Sequence, residues 1–228
     1  MKIGIISDTH NLLRPEVIQN LQGCDRILHG GDISSQAILD QLEQIAPVKV
    51  VRGNNDKEWA EHLPVFLDFE LGGLRICMTH KKKDLPQDLS PYDLAICGHT
   101  HQYASVWQES VGGRRTLLLN PGSCGPRRLI QPITMAMLKI DPDGWDVSQI
   151  NIPHAAREKA PKIDSGNIYK QIETVVRDTE NGLSPDSIVK KRGLDPDLVE
   201  QIVRLYVTHP GVTVDGIMTK MGLLGKLS

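Results

Sequence analysis

Short apolar runs alternate with polar turns from the start of the chain, a pattern that marks buried strands rather than half-exposed ones. Residues 3–6 predict a strand that ends in the polar turn Ser7-Asp8-Thr9-His10-Asn11. Residues 15–21 predict a helix with Pro15 in its first turn, where the missing amide hydrogen is no loss. Residues 26–29 predict a second strand running into Gly30-Gly31-Asp32. Ser34 or Ser35 is placed to cap the next helix, whose Ile38, Leu39 and Leu42 share one face. Residues 47–51 predict a third strand, ending in Gly53-Asn54-Asn55-Asp56. Alternation of strand and helix implies parallel pairing through right-handed crossovers.

From Val65 the pattern is of strands alone. Residues 65–71 and 74–78 flank Gly72-Gly73, a hairpin signal, and residues 94–97, 116–119, 134–140 and 145–150 predict further strands. The sum is a mixed-sheet α/β sandwich. Composition shifts near Pro153, residues 157–165 are polar without a period, and helical spacing follows. Ile168, Ile172, Val175 and Val176 share one helical face, and Leu198, Ile202 and Leu205 continue the period. Ser184-Pro185 and Asp195-Pro196 each pair a cap residue with a first-turn proline, and Gly193 is a natural stop between them. The expected organisation is an α/β domain over residues 1–155 and a small all-helical segment over 156–228.

Composition narrows the function classes. The chain is 39% hydrophobic but only 4% aromatic, so its core rests on Ile, Leu and Val. A net charge of −2 and a pI near 6.4 argue against a general binder of nucleic acid or membrane surfaces. Cys24, Cys77, Cys97 and Cys124 form no CxxC pair and read as buried, reduced thiols. Asp8 and His10 end the opening apolar run too early for a signal peptide, and no run reaches membrane-span length. The expectation is a cytoplasmic protein.

Seven metal-ligand residue types stand in order: Asp8, His10, Asp32, Asn54, His80, His99 and His101, most of them at the ends of apolar runs. Singly each is an ordinary turn or strand-end residue; together they point to a two-metal hydrolytic site. Asp8 and His10, two apart, can face the same ion from an extended strand end. The glycines before Asp32 permit close backbone approach. A carboxylate there can bridge two cations about 3.5–4 Å apart. Mixed imidazole, carboxylate and amide donors suit Mn²⁺ first, with Fe, Zn²⁺, Ni²⁺ or Co²⁺ as alternatives.

These motifs resemble the calcineurin-like metallophosphoesterases, in particular a compact bacterial and archaeal phosphodiesterase branch related in fold to a retromer subunit. The matching pieces are Asp8-Thr9-His10, Gly31-Asp32, Gly53-Asn54-Asn55-Asp56, Thr79-His80, Gly98-His99-Thr100-His101 and Asn120-Pro121-Gly122-Ser123. The resemblance implies a four-layer α/β/β/α fold. It implies that Asp8, His10 and His101 hold one metal ion and Asn54, His80 and His99 the other, with Asp32 bridging. It implies hydrolysis of a small phosphoester by metal-activated hydroxide, with Asp32, Asn54, Asn55 and His80 in the catalytic set. The alternatives are a non-catalytic protein-binding scaffold of the same fold, against which the intact ligand set speaks, and a nucleic-acid-acting phosphodiesterase that uses the helical tail.

Two departures matter. Where many members carry a histidine able to protonate the leaving group, this chain has Asn55, which favours acidic leaving groups. Where the family often continues Gly-His after the motif histidine, this chain has Lys81-Lys82-Lys83. Lys82 and Lys83, with Arg127 and Arg128, form either a solvated loop or a cationic rim for the anion. Asn55, Lys82 and Arg127 are the candidate substrate contacts. His29 reads as a strand-end residue or a support behind Asp32, His62, His154 and His209 as structural or exposed, and Cys124 as packing. The helical segment has the rhythm of a helix-turn-helix, with Lys190-Lys191-Arg192 as candidate phosphate contacts. Its 11 Lys and Arg against 10 Asp and Glu favour a cap or a homo-oligomer contact over a nucleic-acid partner.

Overall fold

The computed structural model describes residues 1–109, 113–126, 131–153, 165–209, 211–221 and 223. In chain order the first unit holds β1 (Lys2–Ile6), α1 (Pro15–Leu21), β2 (Arg26–His29), α2 (Gln36–Glu43), β3 (Val48–Val50), β4 (Phe66–Leu71), β5 (Leu74–Thr79), β6 (Leu94–Ile96), β7 (Tyr103–Glu109), β8 (Arg115–Pro121), β9 (Thr134–Asp141) and β10 (Gly144–Asn151). These strands make two five-stranded sheets, in the orders β10-β9-β1-β2-β3 and β4-β5-β6-β8-β7. Pairing is parallel from β1 to β2 to β3 and from β5 to β6 to β8, and antiparallel for β10 with β9, β9 with β1, β4 with β5 and β7 with β8. The fold is the expected α/β sandwich.

The apolar runs explain the layers. Ile3, Ile5 and Leu28 point between the sheets and meet Ile76, Met78, Leu94, Ile96 and Leu119. Ile6 and Ile27 point the other way, against Val17 and Leu21 of α1 and Ile38, Leu39 and Leu42 of α2. A strand buried on both faces must be apolar throughout, which is why β1 and β2 show no alternation. On the far face of the second sheet the covering layer is thin: a 3₁₀ turn at Lys82–Asp84 and the irregular chain to Tyr92, packed on Cys77 and Ala95. Gly72 and Gly73 join β4 to β5 with φ of 59° and 83°, the backbone that a tight hairpin needs. Ser35 precedes α2, but its hydroxyl does not cap it; the hydroxyl donates to Asn11 Oδ1 at 2.6 Å.

The second unit contains α3 (Ser165–Glu180), α4 (Pro185–Arg192), α5 (Pro196–Thr208) and α6 (Val214–Lys220), around Ile172, Val175, Ile188, Val199, Ile202 and Ile217. The boundary expected near residue 156 lies outside the described residues. Ser184 caps α4 by accepting the Ser187 amide, Gly193 ends it at φ 63°, and Asp195 Oδ1 accepts the Leu198 amide at the start of α5. Arg192 does not face outward as a free phosphate contact. Its Nε and Nη2 donate to the buried Asp178 carboxylate at 2.6 and 2.8 Å, and Lys191 Nζ lies 3.6 Å from it. Hydrogen bonding from Arg192 lowers the Asp178 carboxyl to about 2. A carboxyl lowered by folding stabilises the fold above its unfolded value of 3.8, and that contribution is lost as pH falls toward 2. Asp178→Asn should therefore melt several degrees below wild type at neutral pH, with the gap closing as pH falls from about 4 to 2. Circular dichroism melts across that range would check it, and equal melting at neutral pH would remove the pair from the stability of this unit.

Candidate metal centre

Every parallel strand delivers a motif at its carboxyl end, where open α/β sheets bind ligands. The turns after β1 and β2 run side by side: Asp8 N–H donates to Gly31 O at 2.9 Å, His10 N–H to Asp32 O at 3.0 Å and Asn11 N–H to Ile33 O at 2.8 Å. Gly98, after β6, donates to His80 O at 2.9 Å. Close approach explains the glycines. A Cβ on Gly31, whose φ is 90°, would lie 2.9 Å from His80 Nδ1, and one on Gly98 would collide with Ser7 Oγ.

Backbone conformation marks the same place. Among the described residues, positive φ in non-glycine residues occurs at Asp8, His10, Asn11, Asp32, Ser34, His99 and His101. Five of these are candidate metal donors. Each such residue costs roughly 1–3 kcal/mol and persists only where its surroundings enforce it, typically at functional sites.

The side chains converge as a donor set. Asp8 Oδ1 lies 3.1 Å from His101 Nε2 and 3.8 Å from His10 Nε2, and the two imidazole nitrogens are 3.3 Å apart. Donors about 2.1 Å from one cation sit roughly 3.0 Å apart at neighbouring octahedral positions and roughly 3.4 Å apart at tetrahedral ones. A second triplet is Asp8, Asp32 and His80, its donor atoms all within 4.8 Å of one another. Asp32 faces both triplets: Oδ1 is 3.4 Å from His80 Nε2 and Oδ2 is 3.8 Å from His10 Nε2. His80 Nδ1 is bonded to Gly30 O at 2.8 Å, so in the neutral ring Nε2 is left with its lone pair toward Asp32. Asp8 Oδ1 and His80 Nε2 are buried with no hydrogen bond. Both atoms face into the donor set, where a bound cation would satisfy them.

Electrostatics agree. Burial alone would raise the Asp8 carboxyl, but His101, His80 and the Ser7 hydroxyl hold it below its ordinary value. Burial would also raise Asp32, and it is outweighed by His80 and the Asn55 amide, which hold that carboxyl low. Burial disfavours protonated His80, yet Asp32 and Asp8 bring its pKa above the usual imidazole value. Both carboxylates are thus held toward the charged form that a cation requires.

The structure also reveals supports that the spacing of the motifs does not. Asp56 is buried and accepts the amides of Asp32, Ile33, Ser34 and Gly53 at 2.7–2.9 Å. Asn55, expected to touch substrate, instead donates its amide to Asp32 Oδ1 at 2.8 Å and its side chain to Oδ2 at 2.7 Å. His29 lies behind the loops, accepting the Gly31 amide at Nδ1 and bonding Thr9 Oγ1 through Nε2; burial lowers it to about 4, which keeps it neutral. Asn120 bonds Gly98 O and Thr100 Oγ1, and Ser123 Oγ donates to Asp8 O. The signal for Asp56 was present as the last residue of Gly53-Asn54-Asn55-Asp56.

Five of the seven candidate donors, Asp8, His10, Asp32, His80 and His101, fall in the two triplets. His99 stands edge-on to His80 with ring centroids 5.2 Å apart, and Asn54 is exposed at the turn after Gly53. Lys82 and Lys83 are exposed, and His62 and His209 lie at the surface. Arg127, Arg128 and His154 lie outside the described residues. All four cysteines are buried and free; burial raises Cys124 to about 12, which fits packing and not nucleophilic chemistry. Among the described residues no helix is long and apolar enough to cross a membrane.

Comparison with known proteins agrees with this arrangement. The profile of the calcineurin-like phosphoesterase superfamily domain matches residues 1–143. A probable metallophosphoesterase of Methanothermobacter thermautotrophicus is 36% identical over 165 residues, covering 66% of this chain and 92% of the relative. A phosphodiesterase of Methanocaldococcus jannaschii is 30% identical over 145 residues, covering 54% of this chain and 84% of its own length. In fold alone, Vps29 of Chaetomium thermophilum superposes with a TM-score of 0.51 at 20% identity, over 67% of this chain and 100% of Vps29. The chain belongs to the calcineurin-like phosphoesterase superfamily, a family of metal-dependent hydrolases.

Proposed function

We propose that this protein is a dinuclear phosphoesterase that hydrolyses small phosphodiesters or activated phosphomonoesters. The observation that carries the reading is the Asp32 carboxylate, which turns one oxygen to His80 and the other to His10 and so faces both donor triplets. Asp8, His10 and His101 would hold one divalent cation, His80 with His99 and Asn54 the other, and Asp32 both. Nitrogen and oxygen donors of this mix suit Mn²⁺ first. Bound cations would supply a nucleophile at neutral pH and neutralise charge on the phosphoryl oxygens.

The chain's own residues prepare that chemistry. Asp32 is fixed in plane by the two Asn55 bonds, so its oxygens cannot rotate away from either triplet. Asn55 is thereby a positioning residue for Asp32. Two carboxylates among neutral donors would leave two dications in excess positive charge, which attracts a phosphoester anion. The neutral Asn54 donor preserves that excess. The absence of a histidine beside Asn54 suits leaving groups acidic enough to depart without a proton.

The experiment is turnover of bis(p-nitrophenyl) phosphate by chelator-stripped protein, before and after adding Mn²⁺. Hydrolysis that appears with the metal and saturates at two ions per chain is the expected result. Hydrolysis unaffected by the chelator, or a single bound ion at full activity, would overturn the dinuclear reading.

A further inference from the structure

The second sheet carries a feature that the metal centre does not use. On the face turned away from the first sheet, a cavity of about 350 Å³ lies along β7 and β8. Strand pairing orders its wall. Ala104 sits opposite Asn120 and Val106 opposite Leu118, all on one face of the pleat, and Gln108 follows one step further along. From Asn120 to the level of Gln108 is four residues along β8, roughly 13 Å.

The wall is graded along that length. At one end stand Lys82, Thr100 and Asn120; Lys82 follows the candidate donor His80 by two positions, and Thr100 lies between His99 and His101. Asn120 Nδ2 bonds Thr100 Oγ1 at 3.0 Å, so this end is built from the loop that carries two candidate donors. Beyond it the wall is apolar, with Ala104, Leu118 and Val106, and Val106 is 57% exposed for want of anything covering it. The covering chain from Lys82 to Tyr92 packs over β5 and β6 and reaches Leu118 of β8, leaving Val106 of β7 exposed.

We propose that this cavity receives a ring-bearing arm of the phosphoester, with its anion at the Lys82–Thr100 end. A cationic end abutting the metal loop and an apolar trough leading away match a molecule with a phosphoryl group at one end and an aryl-sized apolar group at the other. The inference rests on the phosphoesterase reading above and adds the class of substrate: esters of ring-bearing alcohols over those of short alkyl ones. Of the two candidate lysines, Lys82 belongs to the site, whereas Lys83 is not part of the wall.

The test is calorimetric binding of two non-hydrolysable probes, phenylphosphonate and methylphosphonate, to the full Mn²⁺-loaded chain. The phenyl compound should bind about tenfold tighter, the gain expected from removing a ring from water. Val106→Trp, which fills the trough from an exposed position, should bring that ratio near one; Ala104→Leu should do the same should the tryptophan variant fold poorly. Equal affinities in wild type, or a ratio that both variants leave intact while methylphosphonate still binds, would overturn the cavity assignment alone. Failure of methylphosphonate itself to bind the metal-loaded protein would instead overturn the phosphoesterase reading, and the cavity assignment with it.

Discussion

Asp32→Ala is expected to lower metal-dependent hydrolysis by at least about 10³-fold, with the fold retained. Asp32 turns one oxygen to His80 and the other to His10, so its loss removes a carboxylate that reaches both groups of donors, a span it shares with Asp8, which belongs to both triplets. His101→Ala provides the contrast. It removes one imidazole from the triplet with Asp8 and His10 and leaves Asp32 and His80 in place. It should cost comparable turnover while one cation still binds tightly, whereas Asp32→Ala should weaken both. Metal titration beside rate measurement separates the two. Full turnover by Asp32→Ala in metal-replete buffer would remove the carboxylate from the mechanism, and simultaneous loss of both cations in His101→Ala would mean the two triplets do not bind independently. Asp32→Ala also leaves the Asn55 amide and side chain without their acceptor, so its melting temperature is measured beside its rate.

Much of this centre was legible in the sequence because its physical demands are local. A carboxylate or imidazole at the end of an apolar run must sit at a strand terminus, and glycine beside it signals backbone brought close. That logic singled out seven candidate donors, five of which the fold brings into the two triplets. It also found β1 and β2, since strands buried on both faces are apolar throughout. It did not find β7: Tyr103–Glu109 is an edge strand exposed over most of its length, so no buried face imposes alternation on it. Nor did it foresee that Ser35 would give its hydroxyl to Asn11, a residue 24 positions earlier that the fold brings beside it. Asn55 was read as a substrate contact because it stands where many family members carry a histidine for the leaving group. Its actual partner, Asp32, is set by how the turns after β2 and β3 meet, which no spacing along the chain encodes.

The same meeting of turns makes Asp56 the residue whose change should reach furthest beyond the donors themselves. Its carboxylate is buried and gathers four backbone amides, those of Asp32, Ile33, Ser34 and Gly53. Two of the four residues, Asp32 and Ser34, have positive φ, so the carboxylate holds a backbone that would otherwise relax. Asp56→Ala leaves these donors without their acceptor inside the fold and should destabilise it by ~4 kcal/mol, in the range for breaking a buried charge network. Asp56→Asn keeps the shape but turns an NH₂ group toward N–H donors, and it should fold with 10–100-fold weaker Mn²⁺ binding, roughly the effect of removing a support behind a metal ligand. The paired measurement is Mn²⁺ affinity and thermal stability of both variants. Wild-type affinity in Asp56→Asn would mean that the ties between the turns after β1 and β2 hold Asp32 in place unaided. Weakened affinity with an intact fold would make the motif's last residue the one that fixes where its metal-facing neighbours point.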